Sequence, residues 1–265
     1  MTTEPSRVLF LLDCGSREAD ALRAVSALMG KQQIEVQGLF VEDEDLIGAA
    51  NLPCVAEVSV KTLEIKRFDP ESASVALAQH AVWVRNLFEA SARRYRLAHS
   101  FQVSRGRTID MLLDAAGGQD VVIVNRPMHG GGLRTRSGMH FETLAPSRVD
   151  VLFVNEPWQS GTSVVAVCTG DASDDQVVDK ALAVARAEGL DLIVATNRDQ
   201  RSTDAARVVH LDHFGETELV QLCEQNDARL LVMPARDGAE RGHLLTTLLD
   251  RLSCSVLHIA PVDRR

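Results

Sequence analysis

Aromatic residues are scarce. Phe, Trp and Tyr make up 4% of the 265 residues, with a single Tyr and two Trp. Proteins that hold single-stranded nucleic acid stack bases on exposed aromatic rings, and this chain has few to offer. An excess of positive charge is also missing: 28 Lys and Arg stand against 37 Asp and Glu, for a net charge of −9. Residues 1–158 carry −3 and residues 159–265 carry −6, so neither half is a basic module. Affinity for phosphate backbones or anionic lipid rests on clustered cations, so neither nucleic acid nor a membrane surface is an expected partner. No apolar run approaches the roughly 20 residues of a membrane span, and Met1–Pro5 does not open a signal peptide. The five cysteines, Cys14, Cys54, Cys168, Cys223 and Cys254, are odd in number and show no Cys-x2-Cys spacing. Cys168, Cys223 and Cys254 lie in apolar runs, where a thiol behaves as a small hydrophobe. A reducing, cytoplasmic location is the expectation. There is no Gly-x4-Gly-Lys-(Ser/Thr) and no Gly-x-Ser-x-Gly, which excludes a P-loop enzyme and an α/β-hydrolase elbow.

What is present is an aliphatic α/β pattern. Val8-Leu9-Phe10-Leu11-Leu12 is a continuous apolar run, the mark of a strand covered on both faces. A turn at Asp13-Cys14-Gly15-Ser16 leads into a helical stripe of Ala21, Leu22, Val25, Leu28 and Met29. A strand over 34–41 follows, then an irregular stretch over 42–70. The longest helix is expected over 74–97, with Leu77, Ala81, Val84, Phe88, Ala92 and Tyr95 on one face. Strands near 101–105, 121–124 and 151–154 complete the first run, with a helix capped by Thr108 among them. Strands alternating with helices imply right-handed crossovers and a doubly wound parallel sheet.

The pattern then starts again. Val164 to Cys168 is a second buried strand, followed by Thr169-Gly170-Asp171 and a stripe of Val177, Val178, Ala181, Leu182 and Ala185. Further strands are expected at 192–195, 208–209, 230–233 and 256–259, with helices capped by Thr217 and centred on Leu244 to Leu249. Val8 falls on Val164 at an offset of 156, and Thr108 on Thr217 at an offset of 109. The second copy is therefore shorter, missing the long helix and the irregular stretch. The expectation is two tandem α/β domains, 1–155 and a truncated 162–265, each with its own parallel sheet and joined by Asn155–Gly161. The missing helix should leave apolar surface exposed on the second copy.

This duplicated five-stranded unit resembles the universal stress protein superfamily in its tandem form. The resemblance covers residues 6–262. It rests on the first strand ending in Asp13 before Gly15-Ser16, on Gly38-Leu39-Phe40-Val41-Glu42, and on the segment Gly106 to Val124 leading into a Gly-rich loop. It implies a dimer or pseudo-dimer whose last strands meet, and a regulatory role in stress responses. ATP-binding members place an Asp at the end of the first strand and Gly-x2-Gly-x9-Gly-(Ser/Thr) after the fourth. Such glycines let backbone N–H groups approach phosphate.

Carried onto this chain, the resemblance makes Asp13, Gly15, Ser16, Gly130, Gly131, Gly132, Arg134, Arg136 and Ser137 the candidate nucleotide or anion site. The spacing of the glycines between Asn125 and Ser137 departs from the motif. In the second copy Thr169 stands in place of Asp13, Gly238 and Gly242 are separated by three residues instead of two, and Leu252 occupies the final Gly position. ATP binding is not expected there. The leading expectation is a non-catalytic regulatory or scaffold protein with an unidentified protein partner, itself able to form a homodimer, and without tight ATP binding. The alternatives are an adenine-nucleotide switch using the first copy only, and a nucleotide hydrolase. His210, His213 and Glu216 lack the further ligands a zinc site needs. Glu42 to Asp45 reads as a solvated acidic loop, and Arg93-Arg94-Tyr95-Arg96 as a helix end where cations suit the dipole.

Overall fold

The computed structural model describes residues 7–12, 18–29, 34–52, 55–58, 63–67, 69–117, 120–125, 149–155, 158, 160–198, 206–235 and 239–261. The first half contributes β1 (Arg7–Leu12), α1 (Glu18–Met29), β2 (Glu35–Asp43), α2 (Glu44–Ala50), β3 (Ala56–Val58), β4 (Ile65–Arg67), α3 (Pro70–Arg94), β5 (Ala98–Gly106), α4 (Thr108–Ala115), β6 (Val121–Asn125) and β7 (Asp150–Val154). The second contributes β8 (Ser163–Cys168), α5 (Asp174–Glu188), β9 (Asp191–Thr196), β10 (Ala206–His210), α6 (Glu216–Gln225), β11 (Ala228–Pro234), α7 (Ala239–Arg251) and β12 (Ser255–Ile259).

The expected pair of separate sheets is a single sheet. Among the described residues ten strands run in the order β10-β9-β8-β11-β12-β7-β6-β1-β2-β5, and β3 and β4 form a small antiparallel hairpin of their own. All pairings in the large sheet are parallel except β7 with β12, which meet antiparallel. The reason lies in the two strands themselves. Each is buried along its length, and an unpaired buried edge leaves N–H and C=O groups without partners. Pairing the edges with one another satisfies both.

The seam has an internal twofold. Val8 faces Val36 and Val121 across β1, while Val164 faces Leu192 and Leu230 across β8, so the same register recurs in each half. Leu152 and Leu257 hold equivalent places beside Ile123 and Val232, and these two leucines face each other at the seam. The flanking hydrogen bonds repeat as well. Ala260 N–H donates to Asp150 Oδ1 (2.8 Å), and Asn155 N–H donates to Ser255 Oγ (2.9 Å). Asp150 also pairs with Lys180 of α5. Burial lowers the Lys180 ammonium to about 8, which leaves it cationic beside the carboxylate at neutral pH.

Helices cover both faces. α1, α3 and α5 pack on one side with Leu22, Val84, Phe88 and Ala181 in the core, and α1 touches α5 across the seam. α4, α6 and α7 cover the other, with Leu112, Leu219, Leu245 and Leu248. α3 buries Leu77, Ala81, Val84, Phe88 and Ala92 of the stripe read from sequence, together with Ala73, while Tyr95, the last of that stripe, is the C-cap and only partly buried. It starts four residues early because Asp69 caps it, accepting the Ser72 N–H at 2.9 Å, and Pro70 fits the first turn. Phe88 packs so close to β2 that only glycine fits at Gly38, where a Cβ would lie 2.9–3.1 Å from Leu12, Phe88 and Phe101. Among the described residues the second half has no counterpart of α2, α3 or the hairpin.

Four local expectations change. The acidic run is not a loop: Glu42 lies in β2 and binds Arg105 (2.7 Å), Asp43 ends β2 and caps α2, and Glu44 and Asp45 suit its N-terminal dipole. Thr108 is the first residue of α4 rather than its cap and donates to Asp43 Oδ2 at 3.2 Å; Thr217 likewise lies inside α6, behind an N-cap at Gly215. The linker is anchored, because Trp158 is 1% exposed and belongs to the core. Among the described residues the exposed large apolar side chains lie on the first half. Among the described residues they include Val58, Ile65, Val75, Val82 and Trp83, while Leu192 and Val194 of β9 are buried. Val178 and Leu182 of α5 pack against the cluster that holds both β9 residues, in a half without an α3.

Candidate functional site

Ligands of doubly wound sheets bind outside the C-terminal strand ends, where neighbouring crossovers leave in opposite directions. In the first half this point lies between β1 and β6, and in the second between β8 and β11. Asp13, Gly15, Ser16, Gly130, Gly131, Gly132, Arg134, Arg136 and Ser137 all lie outside the described residues. The structure describes the strand ends of the first half and the whole turn of the second.

The floor of the first crevice carries an unusual group. Asn125 ends β6 one position beyond the Leu11–Val124 pair and beside Val154 of β7. It is 8% exposed, and among the described residues neither its Nδ2 nor its Oδ1 has a hydrogen-bond partner. A buried carboxamide without partners costs about 1–3 kcal/mol per unmet group. It stands at the switch point, the place where sheets of this type bind their ligands. Only its polarity at the end of the run Val121 to Val124 marks it in the sequence. The equivalent place in the second half, after Leu230 to Met233, is Pro234, which has no N–H and no polar side chain.

The second crevice is closed by the chain itself. β8 ends at Cys168, and the next two N–H groups, of Thr169 and Gly170, point at one carboxylate: Asp174, the first residue of α5. Thr169 N–H donates to Asp174 Oδ1 (3.0 Å) and Gly170 N–H to Oδ2 (2.7 Å). Asp174 is itself buried at the helix N-terminus, so the dipole supports its charge. Thr169 Oγ1 donates to Asp171 (2.8 Å). Gly170 adopts φ +83°, and the Arg198 guanidinium covers the space where its Cβ would project. An anion arriving here would meet donors already taken and two more carboxylates, Asp171 and Asp175. Burial first, then Asp174 and Asp175, push the Cys168 thiol up to about 12, so no nucleophilic thiolate forms there.

Elsewhere, His210 Nε2 lies 3.9 Å from Asp212, and among the described residues no group of three or more His, Cys, Asp and Glu is placed to hold a metal. Among the described residues no helix is long and apolar enough to cross a membrane.

A doubly wound sheet with order 5-2-1-6-7 in one half, mirrored through its last strand by a second half, defines the class. The particular fold is that of the universal stress proteins. The structure of a universal stress protein from Archaeoglobus fulgidus aligns with a TM-score of 0.62 at 14% identity, covering 98% of each chain. A protein assigned to the same group from Pseudomonas aeruginosa UCBPP-PA14 aligns at 0.61 and 15%, covering 97% of this chain and 94% of that one. A functionally unknown protein from Pseudomonas aeruginosa PAO1 aligns at 0.61 and 15%, covering 97% and 93%. No family model and no curated protein matches the sequence.

Proposed function

We propose that this chain is a non-catalytic, cytoplasmic regulatory or scaffold protein of the universal stress protein kind, with two halves at 1–155 and 162–265. Its second half is a closed copy that takes no nucleotide. The observation that carries the reading is the Asp174 carboxylate seated on the Thr169 and Gly170 N–H groups, where a ligand phosphate would need them. Displacing it would leave a buried carboxylate to be resolvated and would set a polyphosphate against Asp171 and Asp175. ATP affinity of that half is no tighter than about millimolar, some 4 kcal/mol. The exposed apolar side chains of α3 and the hairpin favour a protein partner.

A second reading, an adenine-nucleotide switch in the first half, rests on Asn125 at the end of β6, whose side chain has no hydrogen-bond partner among the described residues. Calorimetric titration of ATP, ADP and AMP into wild type, Asp13→Ala and Asn125→Ala separates the readings. Absence of heat supports the scaffold. Micromolar binding that Asp13→Ala and Asn125→Ala weaken supports the switch. Micromolar binding that both leave intact would show that the second half is open after all, and release of ADP would overturn the non-catalytic assignment.

A further inference from the structure

Two thiols far apart in sequence meet on the α6–α7 side of the sheet. Cys223 lies near the C-terminal end of α6, and Cys254 lies three residues after α7, immediately before β12. Both are 4% exposed, both belong to one apolar cluster with Leu219, Leu252 and Val256, and their side chains are hydrogen-bonded to each other. Cys254 also has a particular setting. The residues on either side of it grip the first half: the Ser253 carbonyl accepts from Asn155 Nδ2, and Ser255 Oγ accepts from the Asn155 N–H. A constraint at Cys254 therefore acts directly on the seam between the halves.

We propose that Cys223 and Cys254 are an oxidisable pair that closes into an intramolecular disulfide, tying α6 to the foot of the seam strand β12. The hydrogen bond already sets the two sulfurs side by side, and closure brings them to an S–S length of about 2.05 Å. With hydrogen peroxide as oxidant, one sulfur attacks a peroxide oxygen, the O–O bond breaks, and a sulfenic acid and water result. The second sulfur attacks the first, the S–O bond breaks, the S–S bond forms and a second water leaves. Two thiols give up two protons and two electrons, and peroxide is reduced to two waters.

The surroundings set the conditions for closure. The hydrogen bond to Cys254, burial and the nearby Glu224 all push the Cys223 thiol upward, so the resting pair is two neutral thiols. Attack requires a thiolate and access, and both come when the last turn of α6 opens. The pair thus responds to oxidant combined with local loosening, and closure then restrains the segment holding β11 and α7.

The test treats the full chain with hydrogen peroxide at pH 8, at temperatures rising to just below global melting, followed by digestion without reduction and mass spectrometry. The expected product is a Cys223–Cys254 linked peptide two hydrogens lighter than the paired thiols. Its yield should rise with temperature before global unfolding, and dithiothreitol should reverse it. The oxidised protein should melt about 5–10 °C higher, because a closed 31-residue loop restricts the unfolded chain. Sulfinic or sulfonic acid at either position, preferential linkage to Cys14, Cys54 or Cys168, or two thiols still open to alkylation would each overturn the proposal. Cys254→Ala provides the second measurement, since peroxide should leave its melting temperature unchanged. A rise equal to that of wild type would place the stabilising chemistry elsewhere.

Discussion

Truncating Phe88 to alanine tests how the first half holds together. Phe88 is fully buried on α3, and its ring lies 6.2 Å from Phe10, 6.1 Å from Phe101 and 6.2 Å from His99 in tilted or edge-on arrangements. Removing a buried Phe costs about 3–5 kcal/mol, part hydrophobic transfer and part cavity. Ring pairs of this kind contribute about 0.5–1.5 kcal/mol each, which places the expected loss toward the upper end. With a urea m-value of about 3 kcal/mol/M, the midpoint should fall by about 1–1.7 M at unchanged m. Circular dichroism during urea unfolding reads this directly. A fall below about 0.3 M would refute the packing argument. A cycle with Gly38→Ala sharpens it, because the added Cβ would meet Phe88 Cε1 at 3.0 Å and Leu12 Cδ1 at 2.9 Å. Gly38→Ala should therefore cost less in the Phe88→Ala background than in wild type; strictly additive losses would mean that the two sites do not share space.

His258 in β12 is buried, and desolvation lowers its pKa to about 4. The unfolded chain protonates this group below about pH 6.5 while the fold resists, so stability should fall by up to about 3 kcal/mol between pH 6.5 and 4. His258→Leu should flatten that limb, and an identical acid limb in the variant would reject the assignment. Asp150→Asn leaves Lys180 half-buried without its counter-charge at the seam and should cost about 1–3 kcal/mol in denaturant unfolding. Lys180→Met strands the Asp150 carboxylate, which keeps the Ala260 N–H, and should cost a similar amount; the double change Asp150→Asn/Lys180→Met should lose less than the two single losses added together. Gly170→Ala must hold an alanine at φ +83° and displace Arg198, a loss of about 1–3 kcal/mol, and the Arg198→Ala background should recover only the steric part.

The layer structure was legible in the sequence because its signals are local. A run such as Val8 to Leu12 has no exposed face, so it declares a strand buried in a parallel sheet, and the 3.6-residue recurrence from Leu77 to Ala92 declares the buried side of α3. Val8 and Val164, 156 positions apart, each stand in a strand with parallel neighbours on both sides. Whether β7 and β12 would end two sheets or join them was not legible, since both alternatives use the same apolar strands. The choice belongs to edge hydrogen-bond groups that find each other only in space. The two crevices divide the same way. Replacement of Asp13 by Thr169 is a sequence fact, but the Asp174 carboxylate on the Thr169 and Gly170 N–H groups, and the burial of Asn125 with no partner among the described residues, depend on how a helix and a strand end are placed. Cys223 and Cys254 read as isolated small hydrophobes, and only the packing of α6 over the approach to β12 made them a pair.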